Sequence, residues 1–171
     1  MIKNVTVIDE PYSGEYEEII YDFDDSYKSG DWSWIKFDEE DYSWCGEFRG
    51  KSRGAVLSNK LGIVVILTSD YMYILDIKTK ELIEYEYQPL YIDVTCTPND
   101  DILLNDGYHL KMFKDKKISN IISIELPLNV DNLQFIGYSN NMLEMKCEEF
   151  YNWNHDVFLE FDCDSLKVNI K

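Results

Sequence analysis

Cationic residues are scarce in this chain: 16 Lys and Arg stand against 33 Asp and Glu in 171 residues, a formal charge of −17 with histidine neutral. Such a field repels nucleic-acid phosphates and anionic membranes, so neither is expected as a partner. It attracts basic proteins with a salt-dependent gain in on-rate. Histidine is nearly missing. His109 and His155 have no C-x-x-C or H-x-x-x-H spacing around them, so no zinc centre is expected. The four cysteines (Cys45, Cys96, Cys147 and Cys163) are too sparse for a disulfide framework and read as reduced, buried thiols.

Long apolar runs are lacking as well. The longest, Ile63 to Leu67, is far too short to span a bilayer. Asp9 and Glu10 end the first apolar stretch before it reaches the length of a secretory h-region. These features predict a cytoplasmic, monomeric protein. Catalytic signatures are missing too: there is no G-x-S-x-G elbow, no G-x-x-x-x-G-K-[ST] loop and no G-x-G-x-x-G turn. Asp22-Phe23-Asp24-Asp25-Ser26 opens like a calcium loop but has Tyr27 where the sixth position needs Gly and Ser33 where the twelfth needs Glu. No enzyme activity, metal or cofactor is expected.

The residues that are present belong to a folded β protein. Hydrophobic residues make up 45% of the chain and aromatic residues 15%, with 13 Tyr, 8 Phe and 4 Trp, and alanine is scarce. Aromatic and branched side chains suit a half-buried pleated surface, and their abundance argues against disorder despite the charge. From residue 54 onward, short apolar runs recur between turn signals. Strands are predicted at 54–58, 62–68, 71–77 and 81–87, then at 91–95, 101–104, 108–113 and 118–124. A third set is predicted at 133–138, 142–147, 157–162 and 166–170, with 149–156 as an insert and a helical turn near 128–134. Ser58-Asn59, Pro98-Asn99 and Ser139-Asn140 occupy the same place in each set, about 40 residues apart. Asp106-Gly107 is a strong hairpin signal, because Gly accepts the positive φ of a tight turn.

A period near 40 with four short strands per unit predicts an all-β fold of repeated four-stranded antiparallel units, like a small β-propeller, with an open β-sandwich stack as the alternative. The expected layout is one domain over 1–171, with a divergent acidic first unit at 1–50 and blade-like repeats at 54–90, 91–127 and 131–171. Strands at 4–8, 17–23, 32–37 and 43–48 would make the first unit, interrupted by a loop at 24–31.

The densest feature lies in that first unit. Residues 1–50 hold fourteen acids against Lys3, Lys28, Lys36 and Arg49, a net −10. Trp32 and Trp34 are two apart and so share one face of a strand. Asp38-Glu39-Glu40-Asp41 then makes an acidic turn, and Trp44 starts the return strand. One reading is a recognition hairpin, with Trp32, Trp34 and Trp44 as anchors and Asp38, Glu39, Glu40 and Asp41 selecting a basic partner. The other places the three Trp in the core beneath a solvated acidic loop.

The segment Trp44-Cys45-Gly46-Glu47-Phe48-Arg49-Gly50, the blade-like stretch 71–85 and the acidic first 50 residues together resemble small acidic bacterial immunity proteins, which neutralise a toxin delivered by a neighbouring cell. Richness in Ile, Lys, Asn, Asp and Tyr fits a low-GC bacterial source. The resemblance implies a non-catalytic protein that occludes a basic partner, such as a toxin. The alternatives are a scaffolding module of a larger complex and a small carbohydrate-active enzyme using two carboxylates.

Overall fold

The computed structural model describes residues 1–23 and 28–171, with Trp153 and Asn154 described by backbone alone. Asp24 to Ser26 of the calcium-like stretch therefore lie outside the described residues. Sixteen strands form four four-stranded sheets among the described residues. The first sheet holds β1 (Asn4–Ile8), β2 (Glu17–Tyr21), β3 (Trp32–Asp38) and β4 (Ser43–Arg49), and the second holds β5 (Ser52–Ser58), β6 (Ile63–Thr68), β7 (Tyr71–Asp76) and β8 (Leu82–Tyr87). The third holds β9 (Asp93–Cys96), β10 (Ile102–Asn105), β11 (Leu110–Phe113) and β12 (Ile121–Ile124), and the fourth β13 (Val130–Ser139), β14 (Met142–Glu149), β15 (Asn152–Asp162) and β16 (Lys167–Ile170). The chain is all-β, built from the repeated four-strand units expected. The first two sheets form one compact unit, Met1–Pro89, and the last two form a second, Leu90–Lys171.

The repeat is enforced at its turns. Asn140 and Asn141 both take positive φ, 49° and 63°, as a two-residue hairpin between β13 and β14 requires. The turn after the third strand of the later sheets begins with an aspartate whose carboxylate accepts backbone N–H bonds. Asp76 accepts from Lys78 at 2.8 Å, Asp115 from Lys117 at 2.8 Å, and Asp162 from Asp164 at 2.9 Å. Four residues after Asp76 and Asp162, Lys80 and Leu166 reverse the chain at φ 64° and 58°. Part of the acidic composition is therefore local turn chemistry.

Several boundaries differ from expectation. No helical turn forms near 128–134, because Val130 is buried and already begins β13. Residues 118–120 make one 3-10 turn before β12, where Asn120 Nδ2 donates to Asp115 at 2.7 Å and holds the chain off the sheet. The insert at 149–156 is mostly strand, with β14 reaching Glu149 and β15 starting at Asn152.

Sheets two, three and four are antiparallel throughout, with their strands in sequence order or its reverse. The first runs β1-β3-β4-β2, and β2 pairs with β4 in parallel. Strands β1 and β2 thus point the same way from opposite edges, so the segment joining them must cross one face of the sheet. That crossing spans three inter-strand spacings, roughly 14 Å. The opposite face carries Ile35, Phe37, Trp44 and Phe48, which pack with Val64, Ile66, Tyr71 and Tyr73 of the second sheet as the core of the unit. In the second unit, Leu103 and Met112 pack with Leu133, Leu143, Met145, Leu159 and Phe161.

Candidate functional site

Alternation along β3 decides which Trp are core. Ser33, Ile35 and Phe37 are buried, so Trp32, Trp34, Lys36 and Asp38 face the other way and are half-buried. Register places Trp34 opposite Glu47 and Trp32 opposite Arg49 on β4. The parallel pairing sets Ile20 beside Glu47 and Glu18 beside Cys45. The crossing segment comes over this face. Glu10, Pro11 and Ser13 join Trp34, Glu18 and Glu47 around a recess of about 170 Å³.

The seven residues singled out in sequence take five different roles. Trp44 is 1% exposed and stacks on Phe37 at 4.1 Å. Its indole N–H donates to Glu39 Oε1 at 3.1 Å, so Trp44 presents no surface to a partner. Trp32 lies under Arg49, whose guanidinium carbon is 3.6 Å from the ring centroid and whose Nη2 pairs with Asp22 at 2.9 Å. Trp34 alone lines the recess.

The acidic turn divides likewise. Asp38 accepts from Ser43 Oγ at 2.6 Å and pairs with Lys36 at 2.9 Å, and these contacts hold its carboxyl below the usual carboxylate range. The Glu39 side chain is only 7% accessible and pairs with Lys80 Nζ at 2.6 Å and with the N-terminal ammonium at 2.8 Å. Burial alone would raise the Glu39 carboxyl. Hydrogen bonds from Lys80, the N-terminal ammonium and Tyr42 outweigh it and bring the pKa down to about 2. Only Glu40 and Asp41 point into solvent.

The recess has the opposite electrostatics. Burial raises the Glu47 carboxyl, and Glu18, at hydrogen-bonding range, raises it further, as does Glu10. No Lys or Arg lines the recess among the described residues. Glu47, crowded by two other carboxylates, would be relieved by a bound cation. No group of three or more His, Cys, Asp or Glu is arranged to hold a metal ion among the described residues. Cys45, under the crossing segment, is pushed up to about 11 by burial, with Glu18 and Glu47 adding to it, and is therefore an unreactive thiol.

Sequence reasoning missed Glu10, Glu18 and Glu47. Their meeting depends on the crossing and on the parallel register, and neither leaves a local signal. Elsewhere, His109 Nδ1 lies 3.1 Å from Asp106 Oδ2, within a turn that Asp106 also caps through the Tyr108 and His109 amides.

No protein-family model matches the chain, and no curated protein matches it. Among solved structures, the N-terminal domain of Nup159 is similar at 12% identity with a TM-score of 0.45, over 71% of this chain and 34% of that one. The chain spans about a third of that domain's length. No helix among the described residues is long and apolar enough to cross a membrane.

Proposed function

We propose that this chain is a non-catalytic acidic binding protein that occludes a basic protein partner by taking a lysine or arginine side chain into the Trp34 recess. The supporting observation is the lining: one Trp and the carboxylates of Glu10, Glu18 and Glu47, with no cation among them. The methylenes of such a side chain would lie on the indole while its charged head meets the carboxylates. At about 170 Å³ the recess suits one side-chain head and falls below the roughly 300 Å³ at which small-molecule pockets begin. Glu40 and Asp41, free in solvent, would steer the approach. The resemblance to immunity-type proteins suggests a bacterial toxin as one such partner.

The test is calorimetric titration with a lysine octapeptide. Affinity is expected to fall at least about tenfold between low and physiological salt. Trp34→Ala and Glu47→Gln should each weaken binding by about three- to thirtyfold, the range of a partly desolvated cation–π or charge contact. Glu81→Gln, an exposed acid outside the recess, should change little. Binding that ignores salt, or that survives Trp34→Ala and Glu47→Gln unchanged, would overturn the reading.

A further inference from the structure

The second unit carries a larger cavity, about 450 Å³, which the Trp34 recess does not explain. It forms where the chain passes from β12 to β13. Along Glu125-Leu126-Pro127-Leu128-Asn129 the exposed and half-buried residues alternate, so Leu126 and Leu128 turn inward beside Ile124 and Val130. Tyr108 and Phe150, 53% and 41% exposed, stand at the rim, and Tyr151 lies against Phe150 with ring centroids 4.2 Å apart. Exposed rings around an apolar floor are the usual make-up of a binding hot spot, and the volume falls within the range of ligand pockets.

The polar side chains lining this cavity are Tyr108, His109, Glu125 and Asn129. Asp106 Oδ2 lies 3.1 Å from His109 Nδ1 and fixes the ring beside the cavity. Of the lining groups, Glu125 supplies a carboxylate. No Lys or Arg lines the cavity among the described residues. Residues 90–171 carry fourteen acids against seven bases, a net −7. An apolar floor with a carboxylate at its mouth, in a unit of net negative charge, calls for an occupant with an apolar body and flanking positive charge.

We infer that this cavity receives an aromatic side chain from a peptide segment whose neighbouring residues are lysine or arginine. The basic character of that segment rests on the proposed function, but the cavity is a separate site with its own readout. The probe is the capped tripeptide Lys-Trp-Lys, compared with Lys-Ala-Lys and Glu-Trp-Glu, titrated into the full ¹⁵N-labelled chain. Lys-Trp-Lys should shift the amides of 108–109, 124–130 and 150–151, and should bind at least about fivefold more tightly than either control. Tyr108→Ala combined with Phe150→Ala removes only exposed rings, so the spectrum should keep its dispersion while affinity falls about tenfold.

Equal binding of Lys-Ala-Lys would reduce the effect to charge, and equal binding of Glu-Trp-Glu to apolar adsorption; either overturns the inference, as do shifts that fall elsewhere. If the cavity amides stay still while octapeptide binding still depends on Trp34, the cavity inference alone fails. If Lys-Trp-Lys fills the cavity while octapeptide binding ignores Trp34→Ala, the reading of the first sheet alone fails.

Discussion

Between residues 1 and 89 the buried space is filled largely by rings: Trp44 on Phe37 and Tyr21 stacked on Phe48 at 4.6 Å, with Tyr71 and Tyr73 among them. Between residues 90 and 171 it is filled by Leu, Met and Cys with Phe161. Rings with hydroxyls make demands that aliphatic chains do not. Tyr73 Oη reaches the carbonyls of both Tyr21 and Arg49 at 3.4 Å, and burial raises its hydroxyl far above the ordinary tyrosine value. A flat ring also stacks in few orientations, so the first unit fixes register through its core. The second unit fixes register mainly through its turns, and its core of flexible and small side chains should tolerate exchange better.

The strongest test of that contrast is truncation in each core. Trp44→Ala should cost about 3–5 kcal/mol and Leu159→Ala about 2–4 kcal/mol, read from urea unfolding. A larger loss at Leu159 would mean that the ring stack is not the tighter packing. Next comes Gly46→Ala. A methyl there would sit 2.5 Å from Phe48 Cε2 and 3.0 Å from Phe37 Cε2, so about 1–3 kcal/mol should be lost in the same assay. Conversely, Met145→Leu in the second unit should cost less than about 1.5 kcal/mol.

Two further changes separate a structural carboxylate from a functional one. Glu39→Gln should destabilise by about 1–2 kcal/mol at neutral pH, since Lys80 and the N-terminal ammonium lose their counter-charge. The folded pKa of Glu39 lies near 2, below the ordinary 4.5. Its contribution is therefore complete above pH 4.5 and lost as pH falls toward 2, and thermal melts of wild type and variant should converge over that window. Glu47 is shifted the other way: its folded carboxyl is raised by burial and by Glu18. It therefore opposes folding at neutral pH and stops doing so once acid protonates it. Glu47→Gln should stabilise by about 0.5–1 kcal/mol at pH 7, with the difference vanishing in acid, while weakening binding of the basic peptide. Loss of stability together with unchanged binding would make Glu47 a packing residue.

Much of the strand order was legible, because its signals are local. The Ser-Asn and Pro-Asn turns, Asp106-Gly107 and the apolar runs between them placed the last three sheets, with strand ends shifted and β13 begun where a helical turn was expected, and apolar runs alone placed the strands of the first. The repeated aspartate at 76, 115 and 162 was equally legible, because each opens a turn between two apolar runs of its repeat. The candidate site was far less legible. Trp32 and Trp34 share a face by alternation, but sequence does not say which face is inward. Glu39 looks as free as Glu40 until Lys80, 41 residues away, is brought against it.

The sequence by itself determined an all-β chain of four-strand units, an acidic surface and the absence of familiar catalytic motifs. Periodicity, turn chemistry and composition act over a few residues and need no knowledge of the rest. Only the tertiary structure decided that Trp44 is core while Trp34 is half-exposed, and that Glu39 is neutralised while Glu47 is not. It also decided that Glu10 and Glu18 join Glu47 across a parallel pair. Those outcomes depend on which strands lie side by side and which face the crossing segment covers. Both are set by long-range packing rather than by neighbours in the chain.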